Sequence, residues 1–219
     1  DGAATFTTDF SEYTDPIVNN VITSFEDGDL TEYSGYYPGA KEAYSVVSES
    51  AAGFDAVDGM AMLRLGPGAD PIHTSSGLEN YFSKGTTSEF YIRFGGNSAV
   101  TFVGFGGGDW DNSYHLQCHP DDLLRLRKRV GGSQSTLDGN FGFGWDNDKW
   151  YLIRIRWADG NGTDQIDVSV YDTTDGSLTG SVSASDSETA LQDNEGIVLN
   201  KSGGSGADSY IDNWRLIDA

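Results

Sequence analysis

Short runs of alternating apolar and polar residues, separated by Gly, Asp, Asn and Ser, dominate this sequence. Side chains on a β-strand point to opposite faces in turn, so each such run makes a strand with one core face and one wet face. The run from Trp150 to Trp157 shows the logic. Tyr151, Ile153, Ile155 and Trp157 fall on one face, and Leu152, Arg154 and Arg156 on the other. Ile166, Val168 and Val170 alternate in the same way with Asp167, Ser169 and Tyr171, which predicts a hairpin joined over 158–163. Further strands are expected over Ala43–Ser48, Met60–Leu65, Glu89–Phe94, Ala99–Phe105, Ser113–Cys118, Leu123–Val130, Leu178–Ala184, Gly196–Asn200 and Ser209–Ile217. Helical periodicity is nearly absent. Ten or more strands at this spacing imply a sandwich or a barrel.

The 219 residues suffice for one large sandwich or two small domains. No repeat and no internal linker divides them, so residues 21–219 are read as one domain behind an arm over 1–20. Thr5–Phe10 has strand character, but Asp15-Pro16 interrupts the chain before the first core strand. Such an arm is either a loosely docked terminus or a segment that adds a strand to a neighbouring subunit.

Charge narrows the setting. The chain holds 25 Asp and 9 Glu against 8 Arg and 5 Lys, a net charge of −21. Aromatic content of 12% argues against disorder as the cause. Salt near 1 M shortens the Debye length to about 3 Å, so short hydrated carboxylates keep such a surface soluble in brine. A halophilic, extracellular protein is therefore expected, at a cell or virion surface. The same coat excludes ordinary nucleic-acid binding, which needs a basic footprint. No apolar run approaches the ~20 residues of a membrane span. Cys118 is the one cysteine, expected as a small buried apolar residue. The opening Asp-Gly-Ala-Ala reads as a mature end after signal removal or as an artificial boundary, and Asn161 and Asn200 stand in glycosylation sequons.

Two segments bracket the domain: Ser24-Phe25-Glu26-Asp27-Gly28-Asp29-Leu30-Thr31-Glu32-Tyr33 at its start and Ser209-Tyr210-Ile211-Asp212-Asn213-Trp214-Arg215-Leu216 at its end. Between them lie Trp150–Ile155 and Val168-Ser169-Val170-Tyr171-Asp172. Over about Asn20–Asp218 this pattern resembles the concanavalin A-like lectin/glucanase superfamily in its laminin-G-like form, as found in haloarchaeal surface proteins and their viruses. The resemblance implies an all-β, two-sheet antiparallel jelly-roll sandwich with first and last core strands side by side. The same bracketing residues occur in galactose-binding-like jelly rolls of carbohydrate-binding modules, the second fold considered.

Three chemistries are conceivable. Glu26, Asp27 and Asp29 gather near the first core strand and Asp212 lies on the last, so their carboxylates would meet if those strands are neighbours. The resemblance implies a structural calcium at such a place, and calcium wants six to eight hard oxygens. The turn alone also explains Asp-Gly-Asp. The acidic runs Asp109–Asn112 and Asp146–Asp148 are further candidates. Catalysis finds less support. Glucanases of this superfamily carry Glu-x-Asp-x-x-Glu on one strand, and this sequence has no such run. Its lyases group His with Tyr and Arg, which His115, Tyr114, Gln117 and Arg125 imitate, but alternation sends Tyr114 and His115 to opposite faces. The chain is therefore expected not to be an enzyme.

Binding fits better. Arg125, Arg127 and Arg129 share one face of a strand, opposite Leu124, Leu126 and Lys128. Guanidinium forks suit carboxylates and sulfates. Trp110, Tyr114 and Trp145 sit in or beside Gly-rich loops, where they would stack on sugars or cap the core. The expected partners are an acidic or neutral surface glycan, or neighbouring copies of the chain. Three functions compete: a lectin-like adhesion module, a structural subunit of a filament or virion joined through its arm, and a polysaccharide-active enzyme.

Overall fold

A computed structural model describes residues 21–74, 78, 82–96, 100–120, 123–158, 164–191, 196–202 and 207–218. The predicted arm over 1–20, the 159–163 turn and the Asn161 sequon lie outside the described residues. The described strands are β1 (Val21–Thr23), β2 (Ser34–Gly35), β3 (Tyr44–Ser48), β4 (Ala61–Leu65), β5 (Ile72–Thr74), β6 (Thr87–Phe94), β7 (Val100–Phe105) and β8 (Ser113–His119). They continue with β9 (Leu123–Val130), β10 (Ser133–Phe141), β11 (Trp150–Ala158), β12 (Asp164–Asp172), β13 (Leu178–Asp186), β14 (Ile197–Ser202) and β15 (Ser209–Asp218). One α-helical turn, α1 (Glu49–Ala52), stands among them, with 3-10 turns at Ala40–Ala43 and Thr189–Leu191.

These strands make two antiparallel sheets packed face to face. Sheet A runs β13-β12-β11-β6-β15-β4-β3, and β1 also pairs with β15. Sheet B runs β10-β9-β8-β7-β14-β5-β2. The sandwich and the adjacency of first and last core strands, with Val21 opposite Arg215, agree with the expected architecture. The expected hairpin is present too, with Ile153 opposite Val170 and Ile155 opposite Val168.

Alternation decides what lies between the sheets. Ile153, Ile155, Trp157, Ile166, Val168 and Val170 of sheet A are buried, as are Val103, Phe105, Tyr114, Leu116, Leu124 and Leu126 of sheet B. Aromatic rings dominate one region: Trp157 lies 5.5 Å from Phe105, 5.7 Å from Tyr114 and 5.8 Å from Phe82, centroid to centroid. Tilted and edge-on pairs at these distances contribute about 0.5–1.5 kcal/mol each beyond area burial.

The chain departs from the sequence pattern at four strands. β1, β2 and β5 have only two or three residues, too few for periodicity to register. β10, Ser-Gln-Ser-Thr-Leu-Asp-Gly-Asn-Phe, is nearly all polar; it is an edge strand with neither face fully buried, and pairing with β9 forms it.

Between β3 and β4 the chain makes a strap over the outer face of sheet A. The Ser48 hydroxyl accepts from the Ala51 amide at the start of α1, and Gly53, at φ 82°, ends the turn. Phe54 then packs edge-on against Tyr210 at 4.8 Å, under the Arg93 guanidinium. The Trp150 indole donates to the Asp55 carbonyl. Two carboxylates secure the far end. Asp212 accepts from the Val57 and Asp58 amides at 2.7 and 3.1 Å, and Glu26 from the Met60 and Ala61 amides. At Gly59 an added Cβ would lie 2.3 Å from the Glu26 carboxyl, so only glycine lets that carboxylate approach.

Asp212→Asn is expected to replace one acceptor oxygen with a donor and free part of the strap. Leaving a buried amide without a partner costs about 1–3 kcal/mol. Hydrogen exchange at Val57 and Asp58 should speed up first, together with that fall in stability. Unchanged exchange at those two amides would mean that Phe54 and Trp150 hold the strap alone.

Candidate functional site

The outer face of sheet B carries most of the residues that sequence singled out for binding. Strand pairing sets Gln117 beside Arg125, His115 beside Arg127 and Ser113 beside Arg129. On the other side of β8, Phe102 neighbours Gln117 and Gly104 neighbours His115. Leu124 and Leu126 are fully buried on the inner side, and Lys128 turns inward to Asp186 at 2.6 Å. The alternation expected for the arginine stripe is therefore the one observed.

The loop after β7 adds an aromatic to this face. Gly106, at φ 79°, and Gly107, whose added Cβ would fall 1.4 Å from the Asn112 carbonyl oxygen, allow a turn that no side chain would permit. The turn lays Trp110 against His115, with ring centroids 4.6 Å apart and 32° between planes. Phe102 meets the Trp110 ring edge-on at 5.6 Å, and the Arg129 guanidinium lies 4.9 Å from its centroid. Asp111 of the same loop accepts from Arg129 at 3.1 Å and from the Tyr36 hydroxyl. That hydrogen bond raises the Tyr36 phenol to about 12. Asp109 is occupied by the Asn112 backbone amide at 2.7 Å.

His115 is completely buried in this arrangement. One ring nitrogen, Nε2, shares a hydrogen bond with the Ser113 hydroxyl at 2.7 Å, while Nδ1 has no partner. Burial first, then the positive charges of Arg129 and Arg127, lower its pKa to about 3. The imidazole is thus neutral at every ordinary pH and carries one donor and one acceptor. Gly104 makes room for it, since a Cβ there would lie 2.8 Å from the ring.

Towards the other end of the stripe, Arg127 donates to the Gln117 side-chain oxygen at 2.9 Å. The Arg125 guanidinium lies over Phe141, 4.8 Å from the ring centroid, and Phe141 is 70% exposed. Phe141 is barely legible in the sequence. An aromatic ending an otherwise polar strand was its one visible signal.

Two expected ligand residues do not belong here. Tyr114 faces the core, and its hydroxyl donates to Asp186 at 2.9 Å. Trp145 is buried among Phe94, Phe143 and Tyr151, and its indole donates to the Leu123 carbonyl. Both cap the core, because a ring of that size beside a Gly-rich loop gains more from burial than from water. Cys118 is buried on the inner face, which pushes its thiol pKa up.

The expected calcium ligands also separate. Asp212 is fully buried, and its two oxygens accept three backbone amides, those of Val57, Asp58 and Asn213. Glu26 is likewise taken up by amides. Carboxylates facing N–H groups in this way do not fit a calcium ion, so the set Glu26, Asp27, Asp29 and Asp212 does not act as one. Asp27 and Asp29 instead gather with Glu32, with one oxygen of each within 4.8 Å of the others. Asp29 there accepts from the Thr31 amide and hydroxyl, which lowers its pKa.

Asn200 is a poor glycan acceptor in the folded chain. It lies in the middle of a sheet and is 6% exposed, and the next residue of its sequon, Lys201, points into the core. The Lys201 ammonium donates to the Leu65 and Ala207 carbonyls, and burial lowers its pKa to about 8.

No family model matches the chain, and no curated protein does. Solved structures do. One is a GH43 glycoside hydrolase, engineered to display both endo-xylanase and exo-arabinofuranosidase activity, at 7% identity and a TM-score of 0.58 over 95% of this chain. Another is the GH43 protein BlXynB from Bacillus licheniformis, at 13% identity and 0.54 over 92% of this chain. The chain spans only 42% and 39% of those two proteins' lengths. A looser likeness, at 12% identity and 0.45 over 70% of this chain and 94% of the other, is to galectin LEC-6 of Caenorhabditis elegans. At such identities the GH43 matches establish a shared fold.

The neutral His115 has a consequence for acid stability. The unfolded chain takes up a proton there near pH 6.5, whereas the folded one does so only near pH 3. Its contribution is complete above pH ~6.5 and declines on acidification by up to about 1.4 kcal/mol per unit. A His115→Gln variant should therefore lose stability less steeply than the parent between about pH 6 and pH 4, measured by urea denaturation at each pH. Parallel curves would show that the ring is protonated in the fold.

Proposed function

We propose that this chain is a non-catalytic, lectin-like binding module that works outside the cell in salty water and takes a glycan on the outer face of sheet B. The observation that carries the reading is the strip from Trp110 through His115 and Gln117 to Phe141. It offers the Trp110 and Phe141 rings for the apolar faces of sugars, with the buried His115 backing the Trp110 ring. Apart from Trp110, which a loop presents, the strip is built on strands, which hold its geometry better than loops would. Its loop carboxylates support binding over hydrolysis, because Asp109 and Asp111 are both engaged by neighbours and neither is poised as an acid or nucleophile. The kinship in fold with GH43 proteins leaves the matter to the site, since one sandwich hosts many functions.

A glycan array probed in molar salt tests this reading. A consistent class of ligands should be retained, and Trp110→Ala should weaken it about three- to ten-fold, the worth of one aromatic contact. Retention of no ligand by the folded parent would remove the proposal.

A further inference from the structure

Arginines in this acid-rich chain are paired with carboxylates almost throughout. Of its eight arginines, Arg64 meets Asp208, Arg93 meets Asp148, Arg129 meets Asp111, Arg154 and Arg215 share Glu89, and Arg156 meets Asp167. Arg125 and Arg127 alone have no carboxylate partner among the described residues. They stand next but one to each other on the outer face of β9, so their charges add. Burial, and then the charge of Arg125, lower the Arg127 pKa.

Their surroundings make the lack of compensation more pointed. Gln117, Thr136, Gly139 and Phe141 flank the pair, and all are uncharged. Gly139 gives the Arg125 side chain room, since a Cβ there would sit 3.1 Å from its Cγ. Asp138, the acid on β10, is turned to the amides of Ser183 and Gly139. The Nε atoms of both arginines are buried without a hydrogen-bond partner, as are those of the paired Arg93 and Arg215; what favours an anion here is the uncompensated charge of the two guanidinium groups, met at their terminal nitrogens. In a chain with 34 acidic residues, self-pairing was readily available to these two side chains.

Resting on the glycan-binding reading, we infer that the Arg125–Arg127 pair recognises an acid group on the sugar, a carboxylate or a sulfate, while the ring it decorates seats against Phe141. The ligand class is thus an acidic polysaccharide rather than a neutral one. Selectivity lies in this pair, and general affinity lies in the aromatic rings of Trp110 and Phe141.

The test is calorimetric titration of the whole folded chain with three matched oligosaccharides: an oligogalacturonate, its full methyl ester, and a sulfated galactan of similar length. At least one acidic ligand should bind ten-fold or more tightly than the ester, and which one does so separates carboxylate from sulfate. The double variant Arg125→Gln with Arg127→Gln should lose that advantage while keeping the parent's affinity for the ester. An unchanged melting midpoint would confirm that the variant is folded. If it is not, Arg127→Lys, which keeps the charge but loses the fork, should lose part of the preference. Equal affinity of the parent for all three ligands overturns the anion inference and leaves glycan binding standing. Absence of binding to any of them, together with an empty array, removes both.

Discussion

The aromatic contact between the two sheets is what the rest of this molecule depends on. Trp157 from sheet A and Phe105 and Tyr114 from sheet B interlock with Phe82, and within sheet A Phe90 packs on Trp214. These rings set the spacing and rotation of the sheets. Once they are buried, strand alternation forces every second residue outward. The outer face of sheet B is therefore determined by residues that never touch it: Tyr114, Leu116, Leu124 and Leu126 point in, so His115, Gln117, Arg125 and Arg127 must point out. The polar strip is a by-product of core formation on which chemistry has been placed.

This explains why the sequence was informative about some features and silent on others. Period-two alternation is a local signal, so β9, β11 and β12 and the common face of Arg125, Arg127 and Arg129 were visible in the bare chain. β10 was not, because a strand held by its neighbour's hydrogen bonds needs no apolar face of its own. Loop aromatics were ambiguous for a related reason. Trp110 and Trp145 both follow Gly-rich segments, and only the fold shows that Trp145 fills the core while Trp110 lies on the outer face. The carboxylates are the least legible, since Glu26 and Asp212 look like metal ligands in sequence but accept from the backbone of the strap.

The two faces of the sandwich use charge in opposite ways. On sheet A, Glu89 is nearly buried between Arg154 and Arg215, and Asp212 is spent on amides, so that charges are consumed internally and the strap covers part of the surface. Burial raises the Asp212 carboxyl to about 6, above its unfolded value near 3.9. It therefore favours the fold at low pH and loses that contribution as pH rises from about 4 to about 6, the opposite trend to His115. On sheet B the charge is left uncompensated where Arg125 and Arg127 stand. Sheet A thus neutralises its charge within the fold, whereas sheet B keeps an excess at Arg125 and Arg127.

The place of β15 has a kinetic meaning. It is the strand furthest along the chain, yet it lies inside sheet A, with β6 on one side and β4 and β1 on the other. During synthesis the meander β7 to β10 can pair with its immediate neighbours, while β6 and β4 wait with open hydrogen-bonding edges. A fold completed by such distant pairing is slow, and the waiting edges would accept the same strand from another copy as readily as their own. Assembly of this domain is thus a race between its own last strand and its neighbour's, in which dilution favours the former and crowding the latter.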